Sequence, residues 1–319
     1  MNVEKKISII FDTDMDTDCD DAGAFAMLLE AHLCNKVQLL GVVADSMSSN
    51  AAPCCEMIAK YYGVTVPVGT TFSHYFETVN DKERFADYIK HSENCLSSGR
   101  SYSYFFTKET NKNDRDYPSA TSVYRKLLAE AEDNSVTVLC VGMLTAVACS
   151  LSSPPDDVSP LNGVELFKKK VKQIITMGDP SKINDFNWGK DALGAEEFFS
   201  FSPVPIYISA EGTDVFTGGH LSSDLTKEHP LRRAYEIWLG GQNLSRPSWD
   251  LIASLYAIRP DAPYFYCENL DGGWYDGTKK QFYKGNKSDK NIKQIFLNCE
   301  PSKMAELLNR CMLGDFTDI

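Results

Sequence analysis

IIFDTDMDTDCDD, residues 9–21, places six aspartates directly behind an apolar segment. The apolar run at 7–11 is typical of a buried β-strand, and AGAFAMLL at 22–29 predicts the helix that follows. The aspartates therefore occupy a strand-to-helix turn, at the edge where open α/β sheets bind their ligands. Because so many like charges repel one another, we expect a cation to hold this acidic turn (residues 12–21) together. Carboxylate oxygens suit Ca²⁺ or Mg²⁺ better than zinc, so the turn predicts metal binding or catalysis rather than an acidic surface loop.

The composition limits the kind of partner. The chain has 319 residues, 43% of them hydrophobic, a net charge of −12 and an isoelectric point near 4.9. This acidity argues against nucleic acid, whose phosphates require basic side chains. No segment reaches the ~20 apolar residues of a membrane helix. MNVEKK at the start leaves no room for a secretory signal, although a leader removed beforehand would leave no trace. Ten cysteines without a CxxC pair favour a reduced, cytoplasmic protein.

Strand-like and helix-like patterns alternate through the first two thirds of the chain. The predicted strands lie at 37–44, 64–69, 136–141, 171–177 and 204–209, and the predicted helices at 51–62, 120–131, 144–151 and 191–199. This alternation predicts an α/β fold with an open, mostly parallel (mixed) sheet flanked by helices. We expect a single domain over 1–319. Residues 73–118 interrupt the rhythm as a candidate insertion or lid, and 261–319 form a C-terminal strand and helix extension with strands near 280–283 and 292–297 and a helix near 301–313.

Four segments fall where a strand ends or a helix begins. They are the acidic turn, the Gly142 region after the strand at 136–141, residues 174–191, and RPSWD at 246–250 before a predicted helix at 251–258. Carboxyl ends of parallel strands meet at one edge of a sheet. The four segments are therefore predicted to share one pocket.

Taken together, these residues resemble the inosine-uridine-preferring nucleoside N-ribohydrolases. The family hallmark is an aspartate cluster, DxDPGxDD or the longer DTDxGxDxDDA, and DTDMDTDCDDA at 12–22 is similar to the longer form. The later segments occur in the order that the family requires, and the resemblance extends from about residue 8 to 312. It implies a Rossmann-like nucleoside hydrolase fold and, by family analogy, a homo-oligomer (dimer or tetramer).

The resemblance also implies a calcium site and a catalytic base. Asp14 would bind Ca²⁺ and activate the attacking water, and Asp21 would be a bidentate Ca²⁺ ligand. The backbone carbonyl of Val141 and the Asp250 carboxylate would complete the metal shell. Asp20 would bind ribose hydroxyls.

A small-molecule riboside is the substrate that this resemblance implies. Asn187, in the segment Asp185-Phe186-Asn187, matches the Glu-Phe-Asn segment that touches the sugar, and Met177 matches a residue that lines the ribose pocket. Cleavage of a ribosyl C1′–N bond develops positive charge, which carboxylates stabilise, while a metal lowers the pKa of water. This is the single-displacement logic of inverting glycosidases.

The chain departs from the family pattern at three places. Asp16 replaces the usual glycine of the acidic turn, which adds a charge and removes freedom for positive φ, so the path of the loop is expected to shift. An asparagine that binds ribose commonly follows the second strand; a gapless alignment puts Ser48 there, with Asn50 two residues on. Trp249 stands where many members have a histidine that protonates the leaving base, and it either stacks on that base or packs at the pocket rim.

Two other functions remain open. FDTD at 11–14 imitates the nucleophile motif of haloacid-dehalogenase-like, Mg²⁺-dependent phosphohydrolases, and Asp179 imitates their late metal-binding acid. That interpretation leaves Asp20, Asp21 and Asp250 unexplained. The other function is a non-catalytic, ribose-binding relative that lost turnover with the histidine.

Overall fold

A mostly parallel sheet forms the centre of the molecule in a computed structural model that describes residues 6–71, 83–110, 112–285, 289–317 and 319. Its strands are β1 Ile7–Thr13, β2 Val37–Ala44, β3 Val68–Thr70, β4 Val136–Cys140, β5 Val171–Met177, β6 Ile206–Ser209, β9 Phe265–Asn269 and β12 Ile292–Leu297. They lie in the order β3-β2-β1-β4-β5-β6-β12-β9, where each neighbouring pair is parallel except the antiparallel pair β12-β9. The predicted α/β class with a mixed sheet is confirmed.

Helices cover both faces of the sheet, and two short ribbons lie outside it. The helices are α1 Asp20–Leu33, α2 Ala51–Tyr61, α3 Ala86–Ser97, α4 Tyr102–Thr107, α5 Ala120–Glu130, α6 Thr145–Leu151, α7 Gly163–Lys170, α8 Phe186–Lys190, α9 Ala192–Phe201, α10 Leu221–Asp224, α11 Pro230–Leu239, α12 Trp249–Ile258 and α13 Pro301–Cys311, with a 3₁₀ turn at Asp114–Asp116. The ribbons pair β7 Phe216–Thr217 with β8 Arg246–Pro247, and β10 Trp274–Asp276 with β11 Gln281–Tyr283. No helix in the described ranges is long and apolar enough to cross a membrane.

The first strand is buried on both faces, as its continuous apolar sequence predicts. Ile9 and Phe11 point into the core cluster that contains α1, where the Phe11 and Phe25 rings stack with centroids 5.6 Å apart. Ile10 points into the opposite cluster, formed largely by α5, α6 and α9. Each fully buried side chain of this size contributes about 1.5–3 kcal/mol. β1 is therefore a rigid base for the acidic turn that follows it.

The structure differs from the sequence predictions in the bounds of one strand and in the presence of helix α11. The strand predicted at 64–69 begins only at Val68, because Pro67 has no N–H to donate to a sheet ladder. Helix α11 was not predicted, although its ends carry recognisable signals. Pro230 occupies its first turn, and Gly240 ends it in the left-handed conformation with φ 73°.

The segment predicted as an insertion or lid, 73–118, lies only partly within the described residues, which omit 72–82 and 111. Its described part contains α3 and α4. Side chains of both helices and of the loop between them contact the acidic turn: Tyr88 approaches Asp14, and Ser101 and Ser103 bind Asp16. Whether the segment acts as a lid stays a prediction.

The order of the sheet determines where the site lies. β1, β4 and β5 are neighbours, so their carboxyl ends bring together the acidic turn, Gly142 and Gly178. The N-terminus of α12 reaches the same edge, where the Asp250 N–H donates to Asp20 Oδ2 over 3.2 Å. The predicted convergence of four segments at one edge is what the fold produces.

Candidate active site

A cavity of about 340 Å³ opens at this edge of the sheet. Nine of the eleven residues selected from the sequence line it: Asp14, Asp20, Asp21, Val141, Met177, Asp185, Asn187, Trp249 and Asp250. They come from several different strands, helices and loops, which explains why no single motif contains the site.

Three carboxylates at the bottom of the cavity form a candidate cation site. Asp20 and Asp21 begin α1, Asp250 lies in the first turn of α12, and one oxygen of each lies within 4.8 Å of the others. All three are buried, and burial together with the neighbouring carboxylates raises their pKa values well above normal. Asp21 Oδ2 and Asp250 Oδ1 have no hydrogen-bond partner among the described residues. Such unpaired oxygens suit a hard divalent cation, so this carboxylate trio fits the Ca²⁺ ion that the resemblance implies.

Asp14 lies beside the trio and is held by two hydroxyl groups. Its Oδ2 accepts hydrogen bonds from Thr17 Oγ1 at 2.7 Å and from Tyr88 Oη at 3.3 Å. Burial raises the pKa of Asp14 to about 6, which the Thr17 and Tyr88 bonds partly oppose. A carboxylate in this environment is well suited to accept a proton near neutral pH.

Gly142 provides the space that Asp14 occupies. A Cβ atom at position 142 would lie 2.5 Å from the Asp14 backbone nitrogen, 2.7 Å from its Cβ and 2.8 Å from its Oδ1. Real Cβ atoms do not approach other atoms this closely. The glycine at the end of β4 is therefore required for the close approach of the two loops.

Three of the sugar-binding candidates that line the cavity, Asn187, Met177 and Asp185, form a connected group. The Asn187 side-chain amide donates to the carbonyl oxygen of Val141 at 2.6 Å and approaches the Met177 sulfur at 3.8 Å. Asp185 caps α8 by accepting hydrogen bonds from the Asn187 and Trp188 N–H groups at 3.1 and 3.3 Å. The Val141 carbonyl thus faces the cavity with one of its two lone pairs already engaged.

The backbone conformation of Asp16 differs from the one expected when an aspartate replaces a glycine. It adopts φ 84° in spite of its side chain, so the expectation that the aspartate would remove positive φ is wrong. Its carboxylate accepts hydrogen bonds from the Ser101 and Ser103 hydroxyl groups and from the Ser103 N–H, while its own N–H donates to Tyr102 Oη at 2.9 Å. These bonds stabilise a conformation that costs a non-glycine residue about 1–2 kcal/mol.

Asp18, which had no predicted role, forms an ion pair with Arg246. Arg246 Nε lies 2.8 Å from Asp18 Oδ2 and 3.0 Å from Oδ1, and Nη2 also donates to Oδ2. The guanidinium carbon lies 5.4 Å from the centroid of the Trp249 ring. Both Asp18 and Arg246 line the cavity. Sequence reasoning missed this pair because the two residues are 228 positions apart.

Two sequence-selected residues are not brought to the site. Ser48 Oγ lies 3.4 Å from Ser103 Oγ, and the Asn50 side chain accepts a hydrogen bond from Thr107 Oγ1 at 3.1 Å. Neither is among the described residues that line the cavity, because α4 packs against the loop that carries them. The gapless alignment that suggested them as ribose ligands therefore places them on the wrong surface.

Two further aromatic residues lie near the site, one in the core and one at the cavity. Trp188 is buried in the core, where its ring packs against Phe199 and Tyr275, and it does not line the cavity. No histidine adjoins a liganding residue in the sequence, yet His91 of α3 lines the cavity with its Nε2 3.1 Å from the Thr17 carbonyl. No local pattern marks His91, because only the packing of α3 brings it there.

Comparison with known proteins gives one family and one fold. The sequence matches the family model of the inosine-uridine preferring nucleoside hydrolases over residues 9–284. The inosine-uridine preferring nucleoside hydrolase from Bacillus anthracis superimposes with a TM-score of 0.64 at 16% identity, covering 98% of this chain and 100% of that one.

Two other solved structures have the same fold. A purine-preferring ribonucleoside hydrolase from Gardnerella vaginalis has a TM-score of 0.65 at 15% identity and covers 96% and 98% of the two chains. The type III effector XopQ, solved with adenosine diphosphate ribose, has a TM-score of 0.66 at 13% identity and covers 98% and 94%. A search of curated proteins found no significant match.

Proposed function

Because this chain belongs to the inosine-uridine preferring nucleoside hydrolase family and is a hydrolase acting on N-glycosyl compounds, we propose that it cleaves a ribonucleoside or related riboside with Ca²⁺ and with Asp14 as the base. Family membership disfavours the phosphohydrolase alternative, which left three aspartates unexplained. The family acts on small nucleosides, and we propose a small riboside as the substrate here.

The observation that carries the proposal is the position of Asp14 beside the carboxylate trio. Asp14 lines the same cavity as Asp20, Asp21 and Asp250. The trio, Asp14 and the Val141 carbonyl would hold the cation, which when bound supplies positive charge that lowers the pKa of an adjacent water. The unpaired oxygens of Asp21 and Asp250 support this assignment.

Asp14 would perform the proton transfer. A water oxygen forms a bond to C1′ while the C1′–N bond breaks and its electron pair leaves with the base. The proton of the water passes to Asp14, whose Oδ2 is oriented by Thr17 and Tyr88. Because a fixed carboxylate needs no reorientation during the reaction, these two bonds favour the transition state.

Cavity residues, including Asp20 and Asp250 of the trio, would also hold the sugar and the leaving base. We propose that Asp20, Asp250 and Asn187 bind ribose hydroxyls, that Met177 and Asp185 line the sugar pocket, and that the positive charge developing on the ribose is stabilised by the surrounding carboxylates. Trp249 would stack on the leaving base. Ser48 and Asn50 have no role in this proposal.

The cellular compartment and the oligomeric state of the protein are also proposals. No disulfide bond joins the cysteines among the described residues, which supports a reduced compartment such as the cytoplasm. A homo-oligomer is proposed from the family resemblance alone.

The experiment that tests the proposed function measures reducing-sugar release from purine, pyrimidine and nicotinamide ribosides, with Ca²⁺ and after chelation. We expect ribose release that requires Ca²⁺ and is abolished by Asp14→Asn. Asp157→Asn is the matched control, because Asp157 is exposed and should leave the rate unchanged. Phosphate release from phosphomonoesters with no ribose from any riboside would contradict the proposal. Tight riboside binding without turnover would instead support the non-catalytic alternative.

A further inference from the structure

The Asp18–Arg246 ion pair holds a guanidinium group at the wall of the cavity. Two nitrogens of Arg246 bind the Asp18 carboxylate, and the Arg246 and Asp18 side chains are 33% and 16% exposed. Such a two-point contact fixes the plane of the guanidinium as well as its position. Asp18 is itself fixed, since its Oδ1 also accepts the Cys19 N–H at 2.6 Å.

Arg246 and Trp249 together form one wall of the cavity next to Asp250. The guanidinium lies 5.4 Å from the Trp249 ring centroid, and the indole N–H donates to Thr213 Oγ1 at 3.2 Å. The indole N–H is therefore already engaged. Arg246 Nη1, by contrast, has no acceptor among the described residues, although Arg246 lines the cavity.

We propose that Arg246 is a catalytic residue that stabilises the leaving base by donating a hydrogen bond to the ring atom on which negative charge develops. The inference rests on the proposed riboside hydrolysis. It adds a hydrogen-bond donor for the leaving base, which Trp249 does not supply by stacking. As the C1′–N bond breaks, its electron pair moves into the base, and a fixed cationic donor lowers the energy of that state. Asp18 is the positioning residue for this donor.

Arg246 acts by charge and hydrogen bonding, without giving up a proton. Burial works against its charge, but the hydrogen bond and charge of Asp18 raise the pKa of Arg246 above its ordinary value. The base therefore departs with the electron pair of the broken bond and takes its proton from solvent, while the proton of the attacking water goes to Asp14. Atoms and charge balance with water as the only co-reactant.

The test compares substrates whose leaving groups differ in their need for stabilisation. The probes are inosine, uridine and 4-nitrophenyl β-D-ribofuranoside, whose phenolate is stable without help. Arg246→Gln is expected to lower kcat/KM for inosine or uridine on the order of 100-fold, as loss of one charge-stabilising donor does. The nitrophenyl riboside should lose less than about 5-fold, because its leaving group needs little stabilisation. Asp18→Asn should show the same substrate dependence with a smaller loss.

Controls separate this role from a merely structural one. Arg233→Gln, at an arginine whose side chain is 44% exposed, should leave kcat/KM unchanged for all three probes. If Arg246→Gln fails to fold, Arg246→Lys serves instead, since it keeps the charge but loses the planar fork. Equal losses for all probes, or no loss for any, would overturn the proposal. Absence of ribose release from every probe by the wild-type protein would instead refute the underlying hydrolase proposal.

Discussion

Substitution of Gly142 by alanine tests whether the position of Asp14 determines the rate. Gly142 is not among the residues with positive φ, so alanine meets no backbone restriction there. Its new Cβ would lie 2.5 Å from the Asp14 nitrogen, whereas ordinary contact begins at 3.4 Å. Asp14 or the end of β4 must therefore move by roughly 0.9 Å, and a shift of about 1 Å in a reacting group costs on the order of 100-fold in rate.

The assay for Gly142→Ala is kcat for ribose release at saturating riboside, with the free energy of unfolding measured in parallel. Overpacking of this kind costs about 1–3 kcal/mol, so the variant should still fold. Gly63→Ala is the matched control, because Gly63 has φ 71° with nothing within 4 Å of the new Cβ. It should lose about 1 kcal/mol of stability with kcat unchanged. Wild-type kcat in Gly142→Ala would refute the idea that Asp14 must be held in this position.

Three other predictions concern the acidic residues. Asp16→Gly should keep kcat within a few-fold, because Asp16 does not line the cavity and glycine accepts its φ of 84°; a loss as complete as that of Asp14→Asn would show that the register assigned to the acidic turn is wrong. Ca²⁺ at about 100 times its Kd should raise the free energy of unfolding by about 2.7 kcal/mol, and Asp250→Asn should abolish this gain in thermal denaturation. Burial raises the pKa of Asp45 to about 7, so the folded state binds the extra proton between about pH 4 and 7 and loses stability as the pH rises through that range. The free energy of unfolding of Asp45→Asn, measured by urea denaturation, should therefore rise relative to that of the wild type by up to about 4 kcal/mol as the pH increases from about 4 to 7. A difference between the two proteins that stays constant over this pH range would contradict the prediction.

Local sequence patterns predict the part of the site that depends on strand ends. An apolar strand followed by aspartates, and a strand that ends at Gly142, are short-range features, and a parallel sheet brings them together whatever the details of packing. For this reason the pattern is sufficient to place the acidic turn and the Gly142 region at one edge of the sheet, whereas the choice of Asp14, Asp20, Asp21 and Val141 within them comes from the family resemblance.

The missed contacts depend on packing between distant segments. Asp18 pairs with a residue 228 positions away, and Asp16 binds serines about 85 positions away. His91 reaches the cavity only through the packing of α3 against the acidic turn. The suggestion of Ser48 as a ribose ligand did not match the structure for the same reason, because a gapless alignment carries no information on how α4 packs.

The anomer of ribose that forms first tests the central claim most directly. If a water oriented by Asp14 attacks C1′ in one displacement, a β-riboside must give α-ribose first. Proton NMR of the anomeric signals, recorded before the free sugar equilibrates, should show the α form in excess. Initial release of β-ribose would indicate a covalent enzyme intermediate and would contradict the assignment of Asp14 as the base for direct attack by water.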